Sequence, residues 1–212
     1  MSAKVSRSYH HGDLRNALII AAAELIEELG SLNFTMADAA RRAGVSNAAP
    51  YRHFRDRDAL LEAVTQLGFY VLGESSQRIA QSHPRGSLEG IIALGHNYVT
   101  FVQQKAAFYD LMWGDIGTRS MDDERFNKAA SGFYVLSDAV EAYLQSRGIE
   151  GVDKLDIAVK LWALVHGLAA VSMSGKLAQF HPEADVPAML DSATRQFFAG
   201  LNPDPGRDGG GR

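Results

Sequence analysis

Apolar residues recur along this chain at helical intervals, and no stretch alternates as a strand would. Leu14, Leu18, Ala21, Ala22, Leu25 and Leu29 follow a 3.6-residue period behind Asp13, a suitable cap, and Gly30 stops that first helix. Met36, Ala39, Ala40 and Ala43 fall at i, i+3, i+4 and i+7 behind Thr35, whose hydroxyl can accept an orphan N–H of the first turn. Gly44 ends this second helix because it takes the left-handed conformation without steric cost, and Val45 follows as an expected buried plug. A third helix, capped by Ser46 or Asn47, is expected to begin at Asn47 or Ala48. Pro50 is tolerable only in its first turn, where the missing N–H has no intrahelical partner. Asp56 caps a fourth helix from Arg57 to about Gln81, and His83-Pro84-Arg85-Gly86 breaks it.

The pattern continues to the end of the chain. Ser87 caps a segment with Leu88, Ile91, Ile92, Leu94, Tyr98, Val99 and Val102; a break near Gln104 separates it from a short helix at Ala106 to Trp113. Gly114 to Ser120 reads as a loop, and Asp122-Asp123-Glu124 opens a helix reaching Arg147-Gly148, since acids suit a helix N-terminus. Val152 or Asp153 starts a long helix to about Leu177, and a last one spans about Pro187 to Leu201. The prediction is an all-α protein of about nine helices: a three-helix domain over 1–57, a larger helical domain over 58–201, and a Gly- and Pro-rich disordered tail over 202–212.

Composition narrows the chemistry. Among 212 residues there is no cysteine, which excludes disulfide scaffolds, thiolate metal sites and a cysteine nucleophile. No apolar run reads as a membrane span and the N-terminus has no apolar signal core, so a cytoplasmic protein is expected. The net charge of −4 hides an asymmetry: residues 1–57 carry eight Lys/Arg against six Asp/Glu, whereas 58–212 carry thirteen against nineteen. A basic end on an acidic body suits a protein that offers one end to a polyanion. No Ser/His/Asp order sits in a recognisable turn, no Gly-rich phosphate loop follows a strand, and no histidines have metal spacing, so neither an enzyme nor a metal or cofactor is expected. Glu24, Glu27 and Glu28 read as a solvated face of the first helix.

Residues 35–54 have the spacing of a helix-turn-helix, whose second helix can lie in a DNA major groove. Asn47, Ala48 and Arg52 lie near one outward face, where Asn can pair with adenine, Arg with guanine, and an Ala methyl can touch thymine. Tyr51, Arg55 and Arg57 can hold phosphates, which position without reading sequence. Lys4, Arg7, His10 and His11 form a polar arm able to follow a phosphate backbone or enter a minor groove.

Thr35, the run Ala43-Gly44-Val45-Ser46, Tyr51-Arg52-His53-Phe54 and Asp58-Ala59-Leu60-Leu61 together resemble the DNA-binding domain of the tetracycline-repressor (TetR) family. That resemblance implies that Tyr51 matches a phosphate-gripping tyrosine and that Arg57 stands where the family usually has a phosphate-gripping lysine. The expected DNA-contacting set is therefore Thr35, Ser46, Asn47, Ala48, Tyr51, Arg52, His53 and Arg57. Further on, Trp162 and His166, with Gly167 beside them, resemble the Trp-x-x-x-His-Gly signature of a C-terminal domain named WHG that accompanies such DNA-binding domains.

Phe101, Phe108, Trp113, Phe133 and Tyr134 belong to a dense aromatic cluster that reads either as ordinary core or as the wall of an apolar ligand site, with Trp162 or His166 at its margin. Leu155, Val159, Trp162 and Val165 on the long helix and Leu190, Phe197 and Leu201 on the last one offer the apolar face of a four-helix homodimer interface. The expected function is a DNA-binding regulator, a repressor released from a palindromic operator by a small apolar or amphipathic effector. The alternative is a constitutive regulator or adaptor without a ligand.

Overall fold

The computed structural model describes residues 14–118 and 130–201. The Asp13 cap, the arm with Lys4, Arg7, His10 and His11, the acidic start at Asp122 to Glu124 and the tail lie outside the described residues. Every regular element among the described residues is helical. The chain divides into two compact units, Met1–Gly68 with Lys105–Arg125, and Phe69–Gln104 with Phe126–Arg212. The expected division after residue 57 thus differs from the observed one, which falls inside a helix and returns a later segment to the first unit.

The first unit contains α1 (Leu14–Leu29), α2 (Met36–Arg42), a 3₁₀ turn (Pro50–Arg52), the start of α3 (Arg57–Gln81), α5 (Ala106–Trp113) and the short α6 (Asp115–Thr118). Leu18, Ala22 and Ile26 of α1, Ala39 and Ala40 of α2, and Leu60, Leu61 and Val64 of α3 are wholly buried. The small α2 alanines let that helix lie close on its neighbours. Asp56 caps α3, its Oδ1 accepting from the Ala59 N–H at 2.8 Å. The region expected as a loop after Gly114 forms one helical turn, α6, with Asp115 at its N-terminus where the dipole favours an acid.

The second unit contains the rest of α3, α4 (Leu88–Gln104), α7 (Ser131–Arg147), α8 (Lys154–Met173), α9 (Lys176–Phe180) and α10 (Val186–Leu201). Ser87, Asp153 and Asp185 each accept a backbone N–H at the head of α4, α8 and α10. The long helix ends at Met173 and not at the expected Leu177, because Gly175 turns left-handed at φ 71° and α9 leaves in a new direction. Ile91, Val140, Tyr143, Leu144, Ile157, Leu161 and Phe198 form the core, with Tyr143 and Phe198 ring centroids 4.4 Å apart. Contrary to the expectation that nothing is span-like, α8 is long and apolar enough to cross a membrane, with a mean hydropathy of 1.5. Ile157, Ala158, Leu161, Val165 and Ala169 of this helix are buried, and it packs on α4, α7 and α10.

Gly95 marks a close approach between helices of this unit. A Cβ built there would lie 3.0 Å from Leu190 Cδ2 and 3.2 Å from Val165 Cγ1. Val165 and Leu190, expected at a dimer interface, are therefore core residues of their own chain, 7% and 1% exposed. Their spacing matched an interface stripe, but the missing side chain at Gly95 draws them inward.

Candidate functional site

The helix-turn-helix begins with a complete capping box. Thr35 Oγ1 accepts from the Asp38 N–H at 3.2 Å, and Asp38 Oδ2 accepts from the Thr35 N–H at 2.9 Å and from the Thr35 hydroxyl at 2.7 Å. These hydrogen bonds from Thr35, with Arg41 at 2.5 Å, lower the Asp38 carboxyl to about 2. At the other end, Val45 N–H reaches back to Ala40 O at 3.0 Å and Gly44 N–H to Arg41 O at 3.1 Å. With Gly44 at φ 72°, this is a Schellman ending. Val45 is half-buried, less than the buried plug expected.

The expected third helix from Asn47 or Ala48 is not formed. Ala49 N–H bonds Ser46 O at 2.9 Å, and a 3₁₀ turn spans Pro50–Arg52. Pro50 explains the shortening, because it has no N–H to return to Ser46 O and the segment before it stays a turn. His53 and Phe54 N–H groups both bond Pro50 O, at 3.0 and 2.9 Å. Pro50 and Phe54 are buried, whereas Ser46, Asn47, Ala48, Tyr51, Arg52 and His53 are exposed. Six of the eight expected DNA contacts thus stand on one exposed turn, with Thr35 at the head of α2.

Arg57 is engaged within its own chain. Its Nε donates to Phe34 O at 2.8 Å, its Nη2 donates to Leu32 O, and its guanidinium lies over the Phe34 ring at 5.2 Å. It is half-buried and faces the chain's own α1–α2 connection. Glu24, Glu27 and Glu28 are likewise more than a solvated face: Arg42 pairs with Glu24 and Glu28, and Lys105 with Glu27. Arg42 is pushed further up by its Glu28 hydrogen bond.

The residues of the expected ligand cluster divide between the units. Phe108 and Trp113 belong to the first, where buried Phe108 and Met112 lie against Gly68. Phe101, Phe133, Tyr134, Trp162 and His166 belong to the second. There the rings form a continuous run. Phe133 contacts Tyr134 at 6.1 Å and Trp162 at 6.5 Å, and Trp162 contacts His166 at 5.3 Å. Tyr98, not among the expected residues, joins the run with its hydroxyl 2.7 Å from His166 Nδ1. Nothing in the spacing of the sequence pairs these two, and only the packing of α4 on α8 does. Burial lowers the His166 pKa. Phe101 is half-buried on α4.

Of the expected dimer residues, Leu155 and Val159 are exposed, at 46% and 47%. Trp162, Phe197 and Leu201 are half-buried, the last two packed against the core. Val171 and Phe180 extend the exposed apolar surface. Among the described residues no group of His, Asp or Glu could hold a metal ion.

Residues 18–64 match the family model described as bacterial regulatory proteins, tetR family. Residues 91–197, half of the chain, match the one described as tetracyclin repressor-like, C-terminal domain. Over 83 residues the chain is 36% identical to the HTH-type transcriptional regulator BetI of Serratia proteamaculans, a match covering 37% of this chain and 42% of that protein. The chain thus spans less than half the length of that curated relative. A solved protein of unknown function from Rhodococcus sp. RHA1 is 29% identical with a TM-score of 0.77, covering 92% of this chain and 99% of that one. A transcriptional regulator from Saccharomonospora viridis in complex with choline shares the fold at 16% identity and a TM-score of 0.66, covering 89% and 97%.

Proposed function

This chain belongs to the tetracycline-repressor (TetR) family of transcriptional regulators, and we propose that it is a cytoplasmic repressor that leaves a palindromic operator when a small molecule binds its second unit. The observation that carries the DNA-binding part is the exposed turn between two anchored helices. It presents Asn47, Ala48, Tyr51 and Arg52 outward while Pro50 and Phe54 root it in the core. Arg52 and Asn47 are the base readers in this reading, and Tyr51 holds a phosphate.

Two copies would pair through Leu155 and Val159 of α8, with Trp162, Phe197 and Leu201 beside them. Two-fold symmetry then calls for half-sites about one turn, ~34 Å, or a multiple apart. The ring run of Phe133, Tyr134, Trp162 and His166 is the surface proposed for the effector. The choline held by the Saccharomonospora viridis regulator supports this only as a precedent for an organic ligand on the same fold.

Selection of bound duplexes from a randomised pool tests the reading. A two-fold symmetric sequence is expected, and Arg52→Ala should relax preference at one base pair per half-site, by about 1–3 kcal/mol. Val159→Glu should yield a monomer by light scattering that has lost specific binding. Recovery of no preferred sequence would overturn the regulator reading. A panel of small organic compounds should include some that shift the emission of the two tryptophans and release the operator. Emission changes without release would favour the ligand-free regulator.

A further inference from the structure

Resting on that reading of the DNA interface, we propose that Arg57 and Arg15 hold exchanged roles: Arg57 is a positioning residue that locks the reading turn, and Arg15 supplies a phosphate-holding charge. The turn hangs between two fixed points, the C-terminus of α2 and the N-terminus of α3. Arg57 is the first residue of α3, and its two carbonyl partners, Leu32 and Phe34, immediately precede the Thr35 cap of α2. One guanidinium therefore ties the start of α3 to the start of α2. Every residue of the turn lies within the chain loop that this contact closes.

Turning Arg57 out to a phosphate would strip both carbonyls of their charged donor and leave the Phe34 ring uncovered. Leu32 O keeps the Phe34 N–H at 3.1 Å, but the charged bond to Phe34 O would be unmade, which is costly in partly buried surroundings, so the inward arrangement resists that exchange. The guanidinium fork matters here. It donates from two nitrogens in one plane to two acceptors, which an ammonium of the same charge does not reproduce.

Arg15 has the opposite setting. It is exposed on α1, and its guanidinium lies over the ring of Phe54, 5.2 Å from the centroid. Phe54 is the buried end of the reading turn, so Arg15 is held beside the residues that follow Tyr51 and Arg52. Four other cations of this unit are paired within it, and Arg52 is exposed on the reading turn. Arg41 pairs with Asp38, Arg42 with Glu24 and Glu28, Arg55 with Asp56, and Lys105 with Glu27. Among the described residues no ion pair engages Arg15, which leaves its charge for a polyanion.

The test uses the full chain and the duplex selected by it, with affinity measured against potassium chloride concentration. Each phosphate contact adds about 0.9 to the slope of log affinity against log salt. Arg15→Ala should make the slope shallower by about that amount for each protomer, about 1.8 for the dimer. Arg57→Ala and Arg57→Lys should lower affinity by a common factor of about 5–30 at every salt concentration, with the slope unchanged. Phe34→Leu, which alters no charge, should act in the same direction as Arg57→Lys. Amide hydrogen exchange in the free protein supplies a readout without DNA: the Asp38 and Ala39 amides should exchange faster in Arg57→Lys and as in wild type in Arg15→Ala. Restoration of full affinity by lysine at 57, with a shallower slope for Arg57→Ala, would make Arg57 a phosphate ligand and overturn its assignment. An unchanged slope in Arg15→Ala would overturn the other half. Failure of the wild-type chain to select any duplex would instead sink the regulator reading, and hydrogen exchange would still decide whether Arg57 positions α2.

Discussion

Thr35 and Tyr98 are both hydroxyl-bearing residues that settle the geometry of a candidate site, and they do so over different ranges. Thr35 bonds Asp38, three residues away, on an exposed helix end. Tyr98 bonds His166, 68 residues away, through the packing of α4 on α8. The first unit's reading element rests on such short-range devices: a capping box, a Schellman ending and a proline. The second unit's ring run exists only after distant helices meet. One arrangement can be written by neighbours along the chain, and the other needs the whole fold.

The largest expected effect strikes the long-range side. Phe198 is 1% exposed and packed at a tilt against Tyr143, so Phe198→Ala should cost about 3–5 kcal/mol. Urea unfolding followed by tryptophan emission should register that loss, and the NMR signals of the His166 ring should shift as the Tyr98–His166 contact loosens. If the ring run survived intact, its dependence on the packed core would be refuted.

A smaller effect is expected on the short-range side. Thr35→Ala removes the side-chain half of the capping box and should cost about 1 kcal/mol. The same change removes the first cause of the low Asp38 pKa, so its carboxyl should rise from about 2 toward 3.8. An NMR titration of Asp38 reads this directly, and an unmoved value would show that the backbone N–H of residue 35 and Arg41 suffice to hold it down. Amide exchange should quicken in α2 and stay unchanged in α8.

The smallest effects are in pH, and they separate the two sites by window. Asp38 has a depressed pKa in the folded chain, so its contribution is complete above 3.8 and disappears as pH falls through about 2. His166 is also depressed, from 6.5, by burial. Below 6.5 the unfolded chain takes up that proton more readily than the folded one, so stability declines as pH drops from 6.5 toward the folded value. His166→Gln should remove the decline in the mildly acidic range and leave the Asp38 step untouched. A decline that persisted in the variant would belong to another group.

The correspondence between sequence and structure follows this division by range. The apolar period and the capping residues Thr35, Asp56, Ser87 and Asp153 were enough to place α1, α2, α3, α4 and α8, because a cap and a 3.6-residue period involve partners within about four residues. The length of the third element was misread although its cause was in plain view. Pro50 was allowed a place in a helical first turn, but its absent N–H left the preceding residues without the bond to Ser46 that would have made them helix. The end of α8 was misread in a similar way, since Gly175 interrupts an apolar pattern that continues past it.

Other arrangements have no local signal. A family position and a positive charge point Arg57 to DNA, and its contacts within the chain are long-range. Its carbonyl partners lie 23 and 25 residues earlier and could not be found from spacing. Val165 and Leu190 shared a stripe with Val159, Phe197 and Leu201, yet Gly95 on a third helix decided which of them turned inward. The sequence by itself determined an all-helical chain with a capped helix-turn-helix at its head, because those features are made by near neighbours and by residue chemistry. Which arginine is spent inside, which apolar residues remain on the surface, and which hydroxyl meets His166 were decided only by the tertiary structure, because each depends on a partner brought close when distant helices pack.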